Sequence, residues 1–437
     1  MRRLYEDTAY GPLPVQDCYW DTTATRPDVA EAEGDLSADV VVIGAGYTGL
    51  NAALALAQAG KDVIVLEAET PAWGASGRNG GFSMIGGDKL GHRIIKKRHG
   101  MEEALTYAQV QRASIDLVAE ITDGFDVARH SLGETLLAHR PKDYAGFADY
   151  ADDIREAHGL EADIIPPEAL SDHGMSGPQF FGALTLPYGF GLNPLKYALI
   201  LLGHAQAAGA RIFGQSRLLS AKRDNGRWNL TTPKARITAR DLVIATNGYT
   251  SDDLPHMAAR TLPVQSSILV TRPLTEGERI AQGFTTDQAC FDSRHLLHYF
   301  RLMPCGRMLF GMRGGVKGSR PALRRTRQKI RANFNAMFPA WQDVETPYFW
   351  SGLISLARTL TPFAGQLSDG LYGAFNYHGN GVAMGSYAGR LIADQMLGEN
   401  ALPAPDFMRR PPRRFELGRW RRWSLYPIYA WYQFQDR

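Results

Sequence analysis

Cysteine is scarce in this chain. Only Cys18, Cys290 and Cys305 occur in 437 residues, far apart and without a C-x-x-C pair. They supply neither a zinc site nor a disulfide framework, so three reduced thiols in a cytoplasmic protein are expected, and no metal. Long apolar runs are lacking too: no stretch reaches the ~18 residues of a membrane span. The start, Met1-Arg-Arg-Leu-Tyr-Glu-Asp, is followed by no apolar segment of the kind that makes a secretory leader. Net charge is small, formally +3, and unevenly placed. Residues 407–437 hold eight arginines against Glu416 and Asp436, a local +6 that leaves the rest at −3. Basic residues are not spread along a face, which argues against a nucleic-acid enzyme. Internal repeats are absent.

What is present is material for full cores. Apolar residues make up 44% and charged residues 21%, and the length suits two or three folding units. Residues 1–36, with Pro12, Pro14 and Pro27, are expected to run as an irregular arm over the surface. A β-branched run at 38–43 then reads as a buried parallel strand, and the alanine- and leucine-rich 50–59 as a helix stopped by Gly60. Residues 61–67 read as a second buried strand, completing a βαβ unit. Helices are expected at 101–123, 194–209, 322–337 and 381–398, a hairpin turn at Asn225-Gly226, and strands at 241–246, 260–313 and 371–375.

Between the first strand and helix stands Gly44-Ala45-Gly46-Tyr47-Thr48-Gly49. Gly44 allows the sharp turn, Gly46 lets the backbone approach a pyrophosphate, and Gly49 lets helix and strand pack closely. The helix N-terminus aims free N–H groups at the phosphates. Glu67, 23 residues after Gly44, closes the second strand, where its carboxylate can accept both hydroxyls of an adenosine ribose and repel a 2′-phosphate. This is a dinucleotide site, and NADP is disfavoured. No second G-x-G-x-x-G follows a later strand. Two distant glycine-rich segments, Gly74–Gly81 and His378–Gly385, suit a larger group, and the second opens a helix whose N-terminus could stabilise negative charge on a reduced flavin.

Taken in order, Gly44–Gly49, Glu67, Ser76-Gly77-Arg78-Asn79-Gly80-Gly81, Ala245-Thr-Asn247-Gly248, Trp350-Ser-Gly-Leu353 with Thr361-Pro362, and His378-Gly379-Asn380-Gly381 resemble the D-amino-acid-oxidase-like (glycine/sarcosine oxidase) flavoproteins, in a gamma-glutamylputrescine oxidase-like branch. The similarity spans roughly residues 36–400. It implies an α/β (α+β overall) fold: a Rossmann-like FAD-binding domain from 37–100, 190–260 and 350–400, interleaved with a mixed-sheet substrate domain from 101–189 and 261–349. It also implies which residues meet FAD. Besides Gly44–Gly49, Glu67 and Ala68, these are Ala75, the Ser76–Gly81 loop along the ribityl and ring, Leu218 by the adenine, Asn247 and Gly248 near the pyrophosphate, and Gly379, Asn380, Gly381 and Val382 at the pyrimidine edge. A covalent link through a cysteine is the lesser alternative.

By the same resemblance, the reaction is oxidation of an amine C–N bond by hydride transfer to flavin. The resulting imine hydrolyses in water, with O2 as acceptor and H2O2 released. Such chemistry asks for positioning and desolvation, not an acid/base triad. Relatives acting on free α-amino acids place an arginine after W-x-G-L or before the C-terminal Asn-Gly; here those positions are Ile354 and Gly379. Both departures favour a larger amine, such as a γ-glutamylated polyamine, although Arg358 could substitute. Tyr299, Arg301, Arg313 and Trp350 are candidates for an aromatic and cationic substrate wall. His378 is a further candidate, while His298 and Tyr249 read as structural. No lysine lies between Lys234 and Lys317, which leaves the lysine that sarcosine-oxidase relatives use for oxygen without an obvious counterpart.

The basic, aromatic tail, 401–437, is expected to pack on the body as a C-terminal helix with its arginines reaching to water. Pro411, Pro412 and Pro427 are expected to prevent a long helix. Docking on a membrane is the alternative, which would suit a membrane-associated D-amino-acid or secondary-amine dehydrogenase. A non-catalytic flavoprotein subunit is a third class.

Overall fold

Val40, Val41, Val42 and Ile43 are all buried at the inner end of strand Gly34–Ile43. In this computed structural model, which describes residues 3–251, 254, 256–257 and 259–436, that strand is the centre of the first sheet. Residues 1, 2 and 437 of the expected arm and tail, and 252, 253, 255 and 258 of the expected 190–260 piece, lie outside the described residues. The order is Phe363–Ser368, Leu371–Phe375, Ala235–Ile244, Gly34–Ile43, Val63–Leu66, Arg211–Phe213. All pairs are parallel except the first, and the hairpin Ser220–Asp224/Arg227–Thr231 adds to Ala235–Ile244. Strand alternation sorts the core. Val40, Val42, Val63 and Val65 pack with helices Tyr47–Gln58, Pro194–Ala207 and Ala383–Leu397, while Val41, Ile43, Ile64 and Leu66 pack with Trp228 and Leu230 of the hairpin.

The second sheet runs Tyr348–Leu356, Leu262–Pro273, Arg307–Arg313, His298–Leu302, Ala289–Asp292, Glu134–Leu137, Ala183–Leu186, Asp163–Ile165. It is antiparallel except where Ala289–Asp292 meets Glu134–Leu137. One face carries Cys290, Phe300, Phe310 and Leu269, packed with Phe180, Phe284, Trp341 and helix Arg320–Met337. The other face follows from register: Ser266 pairs with Arg313, Ile268 with Gly311, Gly311 with Tyr299, Tyr299 with Phe291, and Phe291 with Leu136, two residues from Glu134. Paired residues point the same way, so Glu134, Phe291, Tyr299, Arg313 and Ser266 share one face, turned from the aromatic core.

Three sequence expectations change. Residues 350–356 form part of an edge strand of the second sheet, hydrogen-bonded to Leu262–Pro273, not part of the first unit. Helix Met101–Ile121, assigned to the substrate unit, packs on helix Ala383–Leu397 in the first unit's core. The arm does not run over the surface: Tyr5, Tyr10, Tyr19 and Trp20 are buried, and 3-10 turns Asp7–Tyr10 and Tyr19–Thr22 hold them. Four large aromatics outweigh the prolines, because leaving them in water forfeits their burial energy.

The tail ends in a short helix, and it departs from expectation only where Arg421 turns inward. Gly418–Ser424 is a 3-10 segment that leads into helix Leu425–Gln435. Pro427 sits in that helix's first turn, where its missing N–H would have no partner anyway. Arg421 is buried and donates from Nε to the Thr261 carbonyl, whereas Trp420, Trp423, Trp431 and Phe434 are exposed. Asp436 anchors the end by accepting the N–H groups of His295 and Leu296. Among the described residues no helix is long and apolar enough to cross a membrane.

Candidate functional site

The glycine turn has the geometry its sequence requires. Gly44 has φ +105°, open to glycine and strained for other residues. A Cβ on Gly49 would overlap the Gly44 carbonyl oxygen, so strand and helix can close only around glycine. A Cβ on Gly46 would stand 2.7 Å from Ser76 Oγ, the atom that accepts the Tyr47 N–H at 3.0 Å. Glu67 Oε2 accepts the Ala45 N–H at 2.9 Å and Oε1 the Glu69 N–H at 3.1 Å, which fixes the carboxylate at the strand's end. Burial pushes the Glu67 carboxyl up, and the backbone N–H groups oppose that shift.

Two adjoining cavities meet at Ala75, Asn79, Leu353, Ile354, Gly379 and Gly381. The first is lined by Gly44, Gly46, Tyr47, Thr48, Glu67, Ala68, Ser76, Leu218 and Asn247. Arg3, Tyr10, Trp73 and Tyr249 also line it; Tyr249, read from sequence as structural, both faces the cavity and accepts the Leu353 N–H. The second lies on the open face of the second sheet, with Arg78, Gly80, Asn380, Val382, Tyr299 and His378 in its walls. Ala45, Gly49, Gly77, Gly81 and Gly248 line neither cavity; they shape the backbone behind it. A Cβ on Gly77 would overlap the Ala72 carbonyl, one on Gly81 the Leu192 carbonyl, and one on Gly248 would stand 2.8 Å from Leu353 O.

These residues fit FAD on the structure's own terms. The first cavity has a helix N-terminus and a fixed carboxylate for the adenosine and pyrophosphate half. Where it opens into the second, buried polar atoms await a polar ring. Arg78 lies 4.0 Å over the Trp73 ring, and its Nε and Nη1 have no partner among the described residues. Asn380 donates to Met84 O at 2.7 Å while its Oδ1 is unpartnered, just ahead of helix Ala383–Leu397. Among the described residues no group of His, Cys, Asp and Glu is placed to hold a metal.

Several candidate substrate contacts are structural. Arg301 is fully buried outside both cavities and spends its guanidinium on Gly80 O (2.9 Å), Leu192 O (2.7 Å) and His130 Nε2 (2.8 Å). Burial lowers it to about 9. Trp350 is buried and donates to Arg78 O at 2.8 Å. Arg358 pairs with Glu416 at the surface, beyond the end of its strand, and lines neither cavity. His378 is held neutral, lowered to about 3 by burial; Nδ1 donates to Gly87 O at 2.9 Å and Nε2 accepts the Ala357 N–H at 3.1 Å. His298 bonds Asp292 and Asn333 and is structural, as its sequence context suggests.

Tyr299, Ile354 and Arg313 do reach the cavity. Tyr299 lies over Gly311, where any side chain would collide with its ring, and its hydroxyl meets Ser266 Oγ at 2.8 Å. Arg313 donates to His378 O and fills the space beside Gly379. Three residues that sequence reasoning missed join them: Lys89, Glu134 and Tyr150. Lys89 is exposed at the cavity wall; the protein packed around it first, then Arg313, lowers it to about 7. The signal for Glu134 was available, since a charged residue opens the strand Glu134-Thr-Leu-Leu137. No local pattern marks Lys89.

A family model of FAD dependent oxidoreductases (DAO) matches residues 39–395. The gamma-glutamylputrescine oxidoreductase of Escherichia coli K12 is 28% identical over 367 residues, 83% of this chain and 84% of its own. A Haemophilus influenzae protein named "Probable oxidoreductase OrdL" is 30% identical over 370 residues, again 83% and 84%. The solved glycine oxidase of Geobacillus kaustophilus superposes with a TM-score of 0.70 at 18% identity, covering 87% of this chain and 100% of that one; that likeness shows the fold.

Proposed function

This chain belongs to the DAO family of FAD-dependent oxidoreductases, and from that premise we propose that it oxidises the C–N bond of a carboxylate-bearing amine. A γ-glutamylated polyamine or a similar amine is the substrate, and O2 is the acceptor, released as H2O2. The observation that carries the substrate class is the pair of cations in the second cavity, Arg313 beside Gly379 and Lys89 in the same wall. The sequence offers no arginine at Ile354 or Gly379, but Arg313 brings a guanidinium beside Gly379 from strand Arg307–Arg313, so the missing arginine no longer argues for a larger amine. The relative named for γ-glutamylputrescine supports the same class.

When bound, the flavin supplies a two-electron acceptor for the carbon bearing the amine. Gly379, Asn380, Gly381 and Val382 would hold its pyrimidine edge, and Glu67 the ribose. The chain's own work is binding and orientation. Arg313 and Lys89 take the carboxylate, with charge-assisted bonds stronger than neutral ones. Tyr299, pinned by Ser266, gives the substrate a flat wall. Ile354, Phe291 and Leu297 keep water from the reacting carbon. His378 has both ring nitrogens engaged and stays neutral, so it positions the loop and moves no proton. Lys89 also supplies a cation beside the proposed ring site, which favours the negative charge that develops on O2 during its reduction.

Oxygen uptake with a panel of amines tests the proposal. γ-Glutamylputrescine should consume O2 with equimolar H2O2. An amine that reduces the flavin without oxygen uptake would mean a different acceptor.

A further inference from the structure

Glu134 opens strand Glu134–Leu137 and lines the second cavity. Its exposure is 4%, and Oε2 meets no donor among the described residues. Burial alone pushes the carboxyl up, to about 8. Asp88, in the same cavity, is different: it accepts the N–H groups of Leu90 and Gly91 at 2.7 and 2.8 Å and so serves its own loop. Glu134 Oε2 makes no such bond among the described residues. Its sheet neighbours Ala289 and Leu186 offer no donor side chain, and Tyr150 feels its charge without donating to it.

A buried carboxyl oxygen left without a hydrogen bond costs about 1–3 kcal/mol. A leucine would avoid that cost, so the group needs a reason outside the fold. The sheet indicates what the reason is. Arg313 and Glu134 share a face but sit three strands apart, roughly 14 Å between strand axes at the usual spacing. The cavity is therefore cationic at the Gly379 end and bears a bare carboxyl well away from it. A cation brought by the ligand would supply the missing partner.

We propose that Glu134 holds a second, unoxidised ammonium of the substrate and so selects elongated, ammonium-tailed amines over monoamines. This rests on the amine-oxidising function above, whose substrate it narrows. The test is equilibrium binding of hexane-1,6-diamine and hexylamine to the holoenzyme, its flavin held reduced under nitrogen so that neither amine turns over. The wild type should prefer the diamine by about tenfold or more, the range of one charge-assisted hydrogen bond. Glu134→Gln and Glu134→Leu should both abolish the preference. Neither should melt below the wild type, whereas a structural carboxylate would lower the melting temperature when removed. No preference in the wild type, including no saturable binding of either amine, overturns the assignment, as does a preference that survives in both variants. Flavin bleaching by γ-glutamylputrescine, measured separately, reports the parent function. Bleaching without a Glu134-dependent preference fails this proposal alone, and the converse fails the parent alone.

Discussion

Arg313 Nη2 donates to the carbonyl oxygen of His378 at 3.2 Å, and its guanidinium occupies the space that a side chain on Gly379 would need. A glycine at 379 and an arginine at 313 are thus two halves of one device. If Arg313 holds the substrate carboxylate, Arg313→Met should raise KM for carboxylate-bearing amines by roughly 10- to 100-fold, the worth of a hydrogen bond to a charged group. Monoamines lacking a carboxylate should be unaffected. Steady-state kinetics with a matched pair of amines checks this.

Lys89 gives the site a pH dependence. Its ammonium is lowered to about 7, so it is a cation below that pH and neutral above it. Carboxylate binding should weaken as pH rises through 7. The dissociation constant of a non-reacting carboxylate ligand, measured from pH 6 to 9 by flavin absorbance, should rise in the wild type and stay level in Lys89→Met.

Glu134 should leave a mark on stability. Its carboxyl titrates near ~4.3 in the unfolded chain and at about 8 in the folded one. Because the folded pKa is raised, the folded state keeps a proton that the unfolded state has lost. This group's contribution therefore falls as pH rises from about 4.5 to 8 and levels off above that. In urea titrations at pH 5.5 and 8, Glu134→Gln should show a smaller loss of stability than the wild type.

Arg301 should behave as a structural residue. Its three partners come from separate segments, at Gly80, His130 and Leu192. Arg301→Met leaves those groups unpaired and should cost about 2–4 kcal/mol of stability. Flavin-loaded protein that survives the change should keep its KM. A normal melting temperature with a raised KM would return Arg301 to the substrate wall.

Local chemistry was legible and convergence was not. Gly44, Gly46, Gly49 and Glu67 could be assigned roles because a strand, a turn and a helix lie within 24 consecutive residues, and each glycine answers a backbone demand nearby. Tyr299 and Arg301 were both read as candidates for one substrate wall, and strand His298–Leu302 carries both. Which of them meets the cavity depends on distant segments: Gly311 clears room for the tyrosine ring, while Gly80, Leu192 and His130 close around the arginine. Lys89 and Glu134 face the same void from a loop and a strand 45 residues apart, and only sheet register and loop placement bring them together. The arm was misjudged because proline content was weighed above Tyr5, Tyr10 and Trp20, whose burial decides its path.

The most direct test of the central claim is the flavin band near ~450 nm, followed under nitrogen as amines are added to the purified holoenzyme. γ-Glutamylputrescine should bleach it, and Arg313→Met should need a far higher concentration for the same bleaching. Bleaching only by simple α-amino acids, or by no amine, would contradict the account.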